Sequence, residues 1–279
     1  MDAAELVRQG DVDGALKALI GEVRRAPADP KHRVFLFQLL CVTGDFARAK
    51  THLDVARGLD AGALLMAQVY ADAIACESLR RKVFAGETTP IIFGDPEPWM
   101  AKLIEAVRLD AAGEHGAAAS FREQAYDEAP ATQGDVDGRK MEWIADGDSR
   151  IGPMLEIIVN GRYSWLPFMR VAWLAIEPPA DLRDRVWMPV QVQLTNGGEI
   201  VGLVPTRYVG SESSADPLIR LAGKTDWREI GPDAYAGLGQ RMLITDEGEH
   251  PIMDVRRITF DQPADQVVDG QAEAPAADG

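Results

Sequence analysis

The feature that most constrains this chain is a glycine-led signature that returns at a fixed spacing. Gly10-Asp11 is followed by Ala15 and Pro27, and Gly113-Glu114 by Ala118 and Pro130. Gly44-Asp45 is followed by Ala49, with Ala61 where the proline would stand. In each case alanine comes five residues after the glycine and the proline position seventeen after it. Glycine lets the chain turn between two helices. A small alanine lets the paired helices approach closely, and proline ends the second one.

Gly10 and Gly44 lie 34 residues apart, and Gly113 lies 69 further on, about two such periods. A period near 34 is that of the tetratricopeptide (TPR) helix-turn-helix unit. The apolar residues agree. Val12, Ala15, Leu16, Leu19, Ile20 and Val23 mark one helical face, Phe46, Ala49, Leu53 and Ala56 a second, and Ala118, Phe121 and Ala125 a third. Val34 to Cys41 is apolar nearly all round and predicts a central helix packed on both sides. Leu64 to about Phe84 predicts one long helix with no glycine turn near residue 78, so the unit after Gly44 is irregular. Residues 85–98 read as an interrupting loop, and a final helical pair starts near Trp99. Arrays of this kind build binding surfaces, which shifts the expectation away from catalysis.

Beyond Pro130 the pattern changes. Gly134 to Gly138 reads as a linker or turn. Leu155 to Val159, Asn160-Gly161 and Arg162 to Trp165 read as a hairpin with a tight turn. Val190 to Leu194, Asn196-Gly-Gly198 and Ile200 to Val204 read as another, one face buried and one wet. Val171 to Ile176, Met242 to Thr245 and Val255 to Phe260 are further strands, with short helices at Asp181–Arg185 and near Ala215–Leu221. The fold class is therefore α+β, with N-terminal all-α TPR-like repeats over 1–130 and a C-terminal α+β subdomain with antiparallel hairpins over 131–262. Residues 263–279 are rich in alanine, proline, glycine and acid and have no base, a composition expected to be disordered.

Charge narrows the function. Lys and Arg number 29 against 44 Asp and Glu, a formal charge of −15. General affinity for nucleic-acid phosphates or anionic membranes needs a positive face, so neither is an expected partner. Cys41 and Cys76 sit in apolar helical stretches outside any CxxC or CxxH pattern, which predicts buried thiols and no zinc. The acidic N-terminus lacks a signal-peptide core and no run of 18 apolar residues exists, so a cytoplasmic location is expected.

Few residues suggest chemistry. Asp146-Gly-Asp148-Ser-Arg150 starts like a calcium loop but has arginine at the fifth position and Ile157 at the twelfth. A metal-dependent enzyme using Asp146, Asp148 and Glu156 is one alternative. A turn in which Asp146 or Asp148 pairs with Arg150 and caps nearby N–H groups is the simpler reading. His32, His52, His115 and His250 have no HExxH or HxH context. His32 and His52 could meet across a helical pair. Gly237-Leu-Gly239-Gln-Arg241 reads as a β-turn, or as an anion-holding loop. Trp143, Tyr163, Trp165, Trp173, Trp187, Tyr208 and Trp227 lie near Arg162, Arg183, Arg207 and Arg241. Such a set serves either as interface anchors or as a core with arginines stacked over it.

Several segments, taken in order, resemble the ImpE family, also called SciE-type or TagJ, of type VI secretion accessory proteins. They are Arg33–Cys41, Gly44–Ala49, Trp143–Glu156, Gly161–Phe168, Leu182–Trp187, Pro205–Tyr208 and Gly239–Arg241. The likeness runs from about Leu6 to Phe260 and leaves the tail outside. It implies a TPR-like helical subdomain joined to an α+β subdomain, with no enzymatic activity and no cofactor. It implies a cytoplasmic adaptor that contacts the small subunit of the contractile sheath (TssB/VipA-like) and a ClpV-type AAA+ ATPase. On that reading the partner-binding residues are Trp143, Asp146, Asp148, Arg150, Glu156, Tyr163, Trp165, Phe168, Arg207, Tyr208 and Arg241, lining or bracing the junction of the two subdomains. A TPR scaffold for an unrelated client is the other alternative.

Overall fold

A computed structural model of the chain describes residues 2–261. The expectation about residues 263–279 lies outside them. Three helical hairpins form where the glycine signature predicts: α1 (Ala3–Arg8) with α2 (Val12–Arg25), α3 (Pro30–Val42) with α4 (Phe46–Leu59), and, beyond the long α5 (Leu64–Phe84), α6 (Pro98–Ala111) with α7 (His115–Glu128). Gly10, Gly44 and Gly113 take φ of 81°, 74° and 80°, the left-handed region that stops one helix and starts the next. The following acid starts the new helix: Asp11 accepts from Gly14 N–H and Asp45 from Arg48 N–H. Ala15, Ala49 and Ala118 are fully buried at the close contacts.

The strands follow. The segment between α5 and α6 contributes β1 (Ile91–Ile92), so it is more than a loop: it adds a parallel edge against Ser164 and Trp165. Then come β2 (Gly134–Val136), β3 (Arg139–Met141), β4 (Ile144–Asp146), β5 (Met154–Val159), β6 (Arg162–Pro167), β7 (Val171–Ile176), β8 (Trp187–Leu194) and β9 (Glu199–Pro205). A short helix α8 (Pro217–Arg220) precedes β10 (Thr225–Gly231), β11 (Ala234–Gly239), β12 (Met242–Thr245), β13 (Gly248–Pro251) and β14 (Arg257–Phe260). One nine-stranded sheet runs β1-β6-β5-β9-β8-β7-β14-β2-β3, beside a three-stranded sheet β13-β12-β4 and a lone hairpin β10-β11. The supposed linker at 134–138 is thus a strand and turn inside the main sheet, and the supposed turn at 237–241 begins inside β11.

Two apolar cores result. One lies between the helices and the sheet, and joins Leu19, Phe37, Leu53 and Trp99 to Ile158, Tyr163, Trp165 and Trp187. The other lies within the sheets and joins Val136, Leu155, Ile157, Val190, Leu243 and Ile258. Trp187 anchors the first: it is fully buried, its ring stands 6.0 Å from both Phe46 and Tyr70, and its Nε1–H donates to Glu77. Trp187→Ala should therefore cost about 3–5 kcal/mol. Leu65→Ala, at a side chain 77% exposed, should stay within about 0.5 kcal/mol of wild type. Urea midpoints for the two variants check both values.

Candidate functional site

Strand β5 is buried along its whole length, and its side chains alternate between the two cores. Met154 and Ile158 join the core against the helices, while Leu155, Ile157 and Val159 join the core of the sheets. Glu156 therefore points at the helices, and there it meets α5. Arg80 sits on the α5 stripe that also carries Tyr70, Ala73 and Glu77, the face turned inward. Its Nε–H donates to Glu156 at 2.7 Å and an Nη2–H at 2.9 Å, a two-pronged pair. Arg241, fully buried just beyond β11, holds Glu156 from the other side and also holds Asp146. Tyr163 O–H donates to Glu156 at 2.6 Å, and Trp165 Nε1–H donates to Tyr163 at 2.7 Å.

The network spreads from this centre. Residues 144–150 alternate inward and outward like a strand. Ile144, Asp146, Asp148 and Arg150 point in, and Ala145, Gly147 and Ser149 point partly out. Asp148 takes Arg150 in two hydrogen bonds, 2.9 and 2.6 Å, and accepts from Gly237 N–H at 3.0 Å. The Arg150 guanidinium stacks 4.7 Å over Phe84, a residue of α5. Tyr208 O–H donates to Asp146 at 2.9 Å. Arg207 forms no ion pair among the described residues. It donates to the carbonyls of Cys41 and Val42 at 2.6 and 2.7 Å and to that of Arg220, so it caps the C-terminal ends of α3 and α8. Arg80, Arg150, Arg207 and Arg241 balance Glu77, Asp146, Asp148 and Glu156, and all eight are buried. The interior thus carries no net charge across the junction of helices and sheets.

Proton affinities follow from this arrangement. Burial would push the Glu156 carboxyl up, but Arg80 and Arg241 outweigh it and hold the group at about 2. At Asp146 burial, helped by the neighbouring charges of Asp148 and Glu156, outweighs Arg241 and the Asp148 N–H and pushes the carboxyl up to about 6. Burial raises Cys41 and Cys76, both free and buried, well above an ordinary thiol.

The residues singled out by sequence are thus gathered at one place, but mostly on the inside. Asp146, Asp148, Arg150, Glu156, Tyr163, Trp165, Phe168, Arg207, Tyr208 and Arg241 are all buried, and Trp143 alone among them is exposed. Buried side chains hold the surface from beneath and do not form it. Trp165→Ala consequently acts through stability and is no clean probe of binding. The simpler reading of the Asp146–Arg150 turn matches the geometry: Asp148 pairs with Arg150, and Asp146 accepts from Asp148 N–H. Asp146, Asp148 and Glu156 do approach one another, yet each already holds an arginine. No group of three or more His, Cys, Asp or Glu is placed for a metal among the described residues. Arg241 is spent on two carboxylates, so the 237–241 segment is no anion loop. His52 bonds Arg33 and His32 lies by Glu22 and Asp29, not by each other. Sequence reasoning missed Glu77 and Arg80. Their signal was a charged pair lying on the apolar stripe of α5 rather than off it.

These features define an α+β protein in which helical hairpins dock on a mixed sheet through a buried ionic seam. The sequence pattern described as ImpE protein matches residues 138–259. A curated relative from Pseudomonas aeruginosa, named type VI secretion system accessory component TagJ, is 48% identical over 265 residues, covering 95% of this chain and 92% of that one. The chain belongs to the ImpE family. The crystal structure of protein VPA1032 from Vibrio parahaemolyticus superposes with a TM-score of 0.84 at 24% identity, over 94% of this chain and 98% of that one, which shows a shared fold. No helix among the described residues is long and apolar enough to cross a membrane.

Removing one partner of a buried pair leaves the other charge uncompensated, so Glu156→Gln should cost about 3–5 kcal/mol at pH 7. The folded-state value near 2 lies below the ordinary 4.5, so this contribution is complete above pH 4.5 and lost as pH falls toward 2. The gap between wild type and Glu156→Gln should close over that window. Asp146 has the opposite sign: its ionisation opposes folding above about pH 6, and the penalty fades as pH falls toward 3.8. Asp146→Asn should cost less than Glu156→Gln at pH 7. Urea midpoints between pH 7 and 3 read both, and a Glu156→Gln gap that ignores pH would contradict the assignment.

Proposed function

We propose that this protein is a non-catalytic accessory component of a type VI secretion system. It acts in the cytoplasm as an adaptor that binds the small subunit of the contractile sheath and a ClpV-type AAA+ ATPase. The observation that carries the reading is the 48% identity to TagJ across 95% of the chain. Two physical features support it. Helical hairpins present extended faces rather than a closed cleft. Asp146, Asp148 and Glu156, the carboxylates that would serve an enzyme, are each bound to arginine inside the protein.

An adaptor needs a fixed spatial relation between its surfaces. The seam from Arg80 to Glu156 and Arg241 supplies one, because it ties α5 to β5 and to the segment after β11 through groups with little freedom to slide.

The test is a titration of the purified full chain with the small sheath subunit of the same organism, followed by the same titration with the ATPase. The reading expects a Kd of about 1 µM or tighter for the sheath subunit, with no hydrolytic or transfer activity required. Absence of binding to both proteins would remove the type VI assignment of partners and leave a helical scaffold with another client.

A further inference from the structure

The outward side of the ionic seam carries a feature that the buried residues alone do not explain. Between inward Asp146, Asp148 and Arg150 stand Ala145, Gly147 and Ser149, three small residues in alternate positions. They form a shallow floor. Four aromatic side chains stand around it, Tyr126, Trp143, Trp227 and Tyr235, each between 38% and 46% exposed. They are the large exposed aromatics of the described residues, and each touches or flanks the segment from Ala145 to Gly152.

The placement is fixed by contacts. Tyr126 and Trp143 share the walls of a groove of about 370 Å³ with Ala145 and Pro153. Tyr126 O–H donates to the Ser149 carbonyl at 2.7 Å, and its ring lies so close over Gly152 that a Cβ there would sit 2.5 Å from it. Trp227 lies over Gly147, where a Cβ would come within 2.6 Å of the ring. Trp227 pairs across the β10–β11 hairpin with Gly237, and Tyr235 with Glu229, which puts both aromatics on the same hairpin face. Tyr235 N–H donates to Ser149 Oγ, and Ser149 N–H donates back to the Tyr235 carbonyl. The glycines at 147 and 152 are thus the cost-free way to let two rings lie down on the chain.

Charge selects the occupant. Asp127, Glu142, Asp246 and Glu247 are exposed on the elements that bear or flank the rings, and none forms an ion pair among the described residues. Among the exposed cations nearby, Arg228 alternates to the hairpin face opposite Trp227, and Lys140, three residues before Trp143, pairs with Asp261. Aromatic faces attract guanidinium groups, and unpaired acids at the rim add long-range attraction for a cation. A floor of small residues lets a flat group reach the ring planes. We propose that this trough is a docking site for an arginine-bearing segment of a partner protein, with Trp143 and Trp227 as the stacking walls. The proposal rests on the adaptor reading only in taking the occupant to be a protein segment.

The test uses the full chain and a short peptide of alternating glycine and arginine, with the same peptide carrying citrulline or lysine in place of arginine. Trp143, Trp173 and Trp227 and the buried Trp99, Trp165 and Trp187 give six indole N–H signals for a nuclear magnetic resonance titration. The arginine peptide should move the Trp143 and Trp227 signals and leave the buried three in place. Among the described residues Trp143 makes no side-chain hydrogen bond or ring pair and is 40% exposed, so Trp143→Ala should keep the fold, and the five remaining signals verify it. That variant should bind about tenfold more weakly, and the citrulline peptide should bind more weakly still, with lysine between. Shifts confined to Trp173, equal binding of citrulline, or unchanged affinity of Trp143→Ala would each overturn the proposal. A sheath subunit that failed to bind would remove the adaptor reading and leave the peptide result standing, so the two failures are distinguishable.

Discussion

Everything in this structure depends on how one carboxylate is satisfied. Glu156 sits on a strand buried on both faces, where an unpaired charge would be untenable. Arg80 reaches it from the helices and Arg241 from the sheet side, so it is the point where the two halves share a single charge. Because each arginine is itself buried, neither can leave without stranding a charge. The remaining members extend the same logic: Asp146 takes Arg241, Asp148 takes Arg150, and Glu77 lies 3.5 Å from Arg80. Directional bonds from Trp187 to Glu77 and from Arg207 to the Cys41 and Val42 carbonyls cross the same junction. The two-pronged geometry of Arg80 adds to that directionality.

How much of this was legible in the sequence follows from the range of each interaction. The glycine–alanine–proline spacing is local, and it located three helical hairpins and the positive-φ turns between their helices. The Asn160-Gly161 turn is equally local, and it fixed β5 against β6. The ionic seam is not local. Arg80 and Glu156 are 76 residues apart, and Arg241 and Glu156 are 85 apart. No spacing rule brings them together, and composition reads each as a surface charge. The β10–β11 hairpin was missed for another reason: Asp226 to Glu229 are all exposed, so the alternation that marks a half-buried strand is absent. Strand β1 is two residues long and borrows its regularity from β6.

The same local alternation links the interior to the surface. Residues 144–150 put charge on one side and small residues on the other, so one short segment both closes the seam and floors the aromatic trough. The segment picked out by its aromatic and charged density therefore contributes to two different things. Its charged members stabilise position, and its small members with Trp143 shape a face. For a member of the ImpE family this is a physical reason to look for a recognition surface there: the rings rest on chain that the buried network holds still, so little ordering entropy would be lost on binding.

The central claim is that helices and sheets form one cooperative unit because the seam joins them. Native-state hydrogen exchange tests it most directly, since amides report the free energy of the opening that exposes them. The account predicts that the slowest amides of α3 and α5 and those of β5 and β6 share one opening free energy equal to that of global unfolding. It also predicts that the four elements fall together in denaturant. Helical amides that exchange through a separate, clearly lower-energy opening while β5 and β6 stay protected would contradict it.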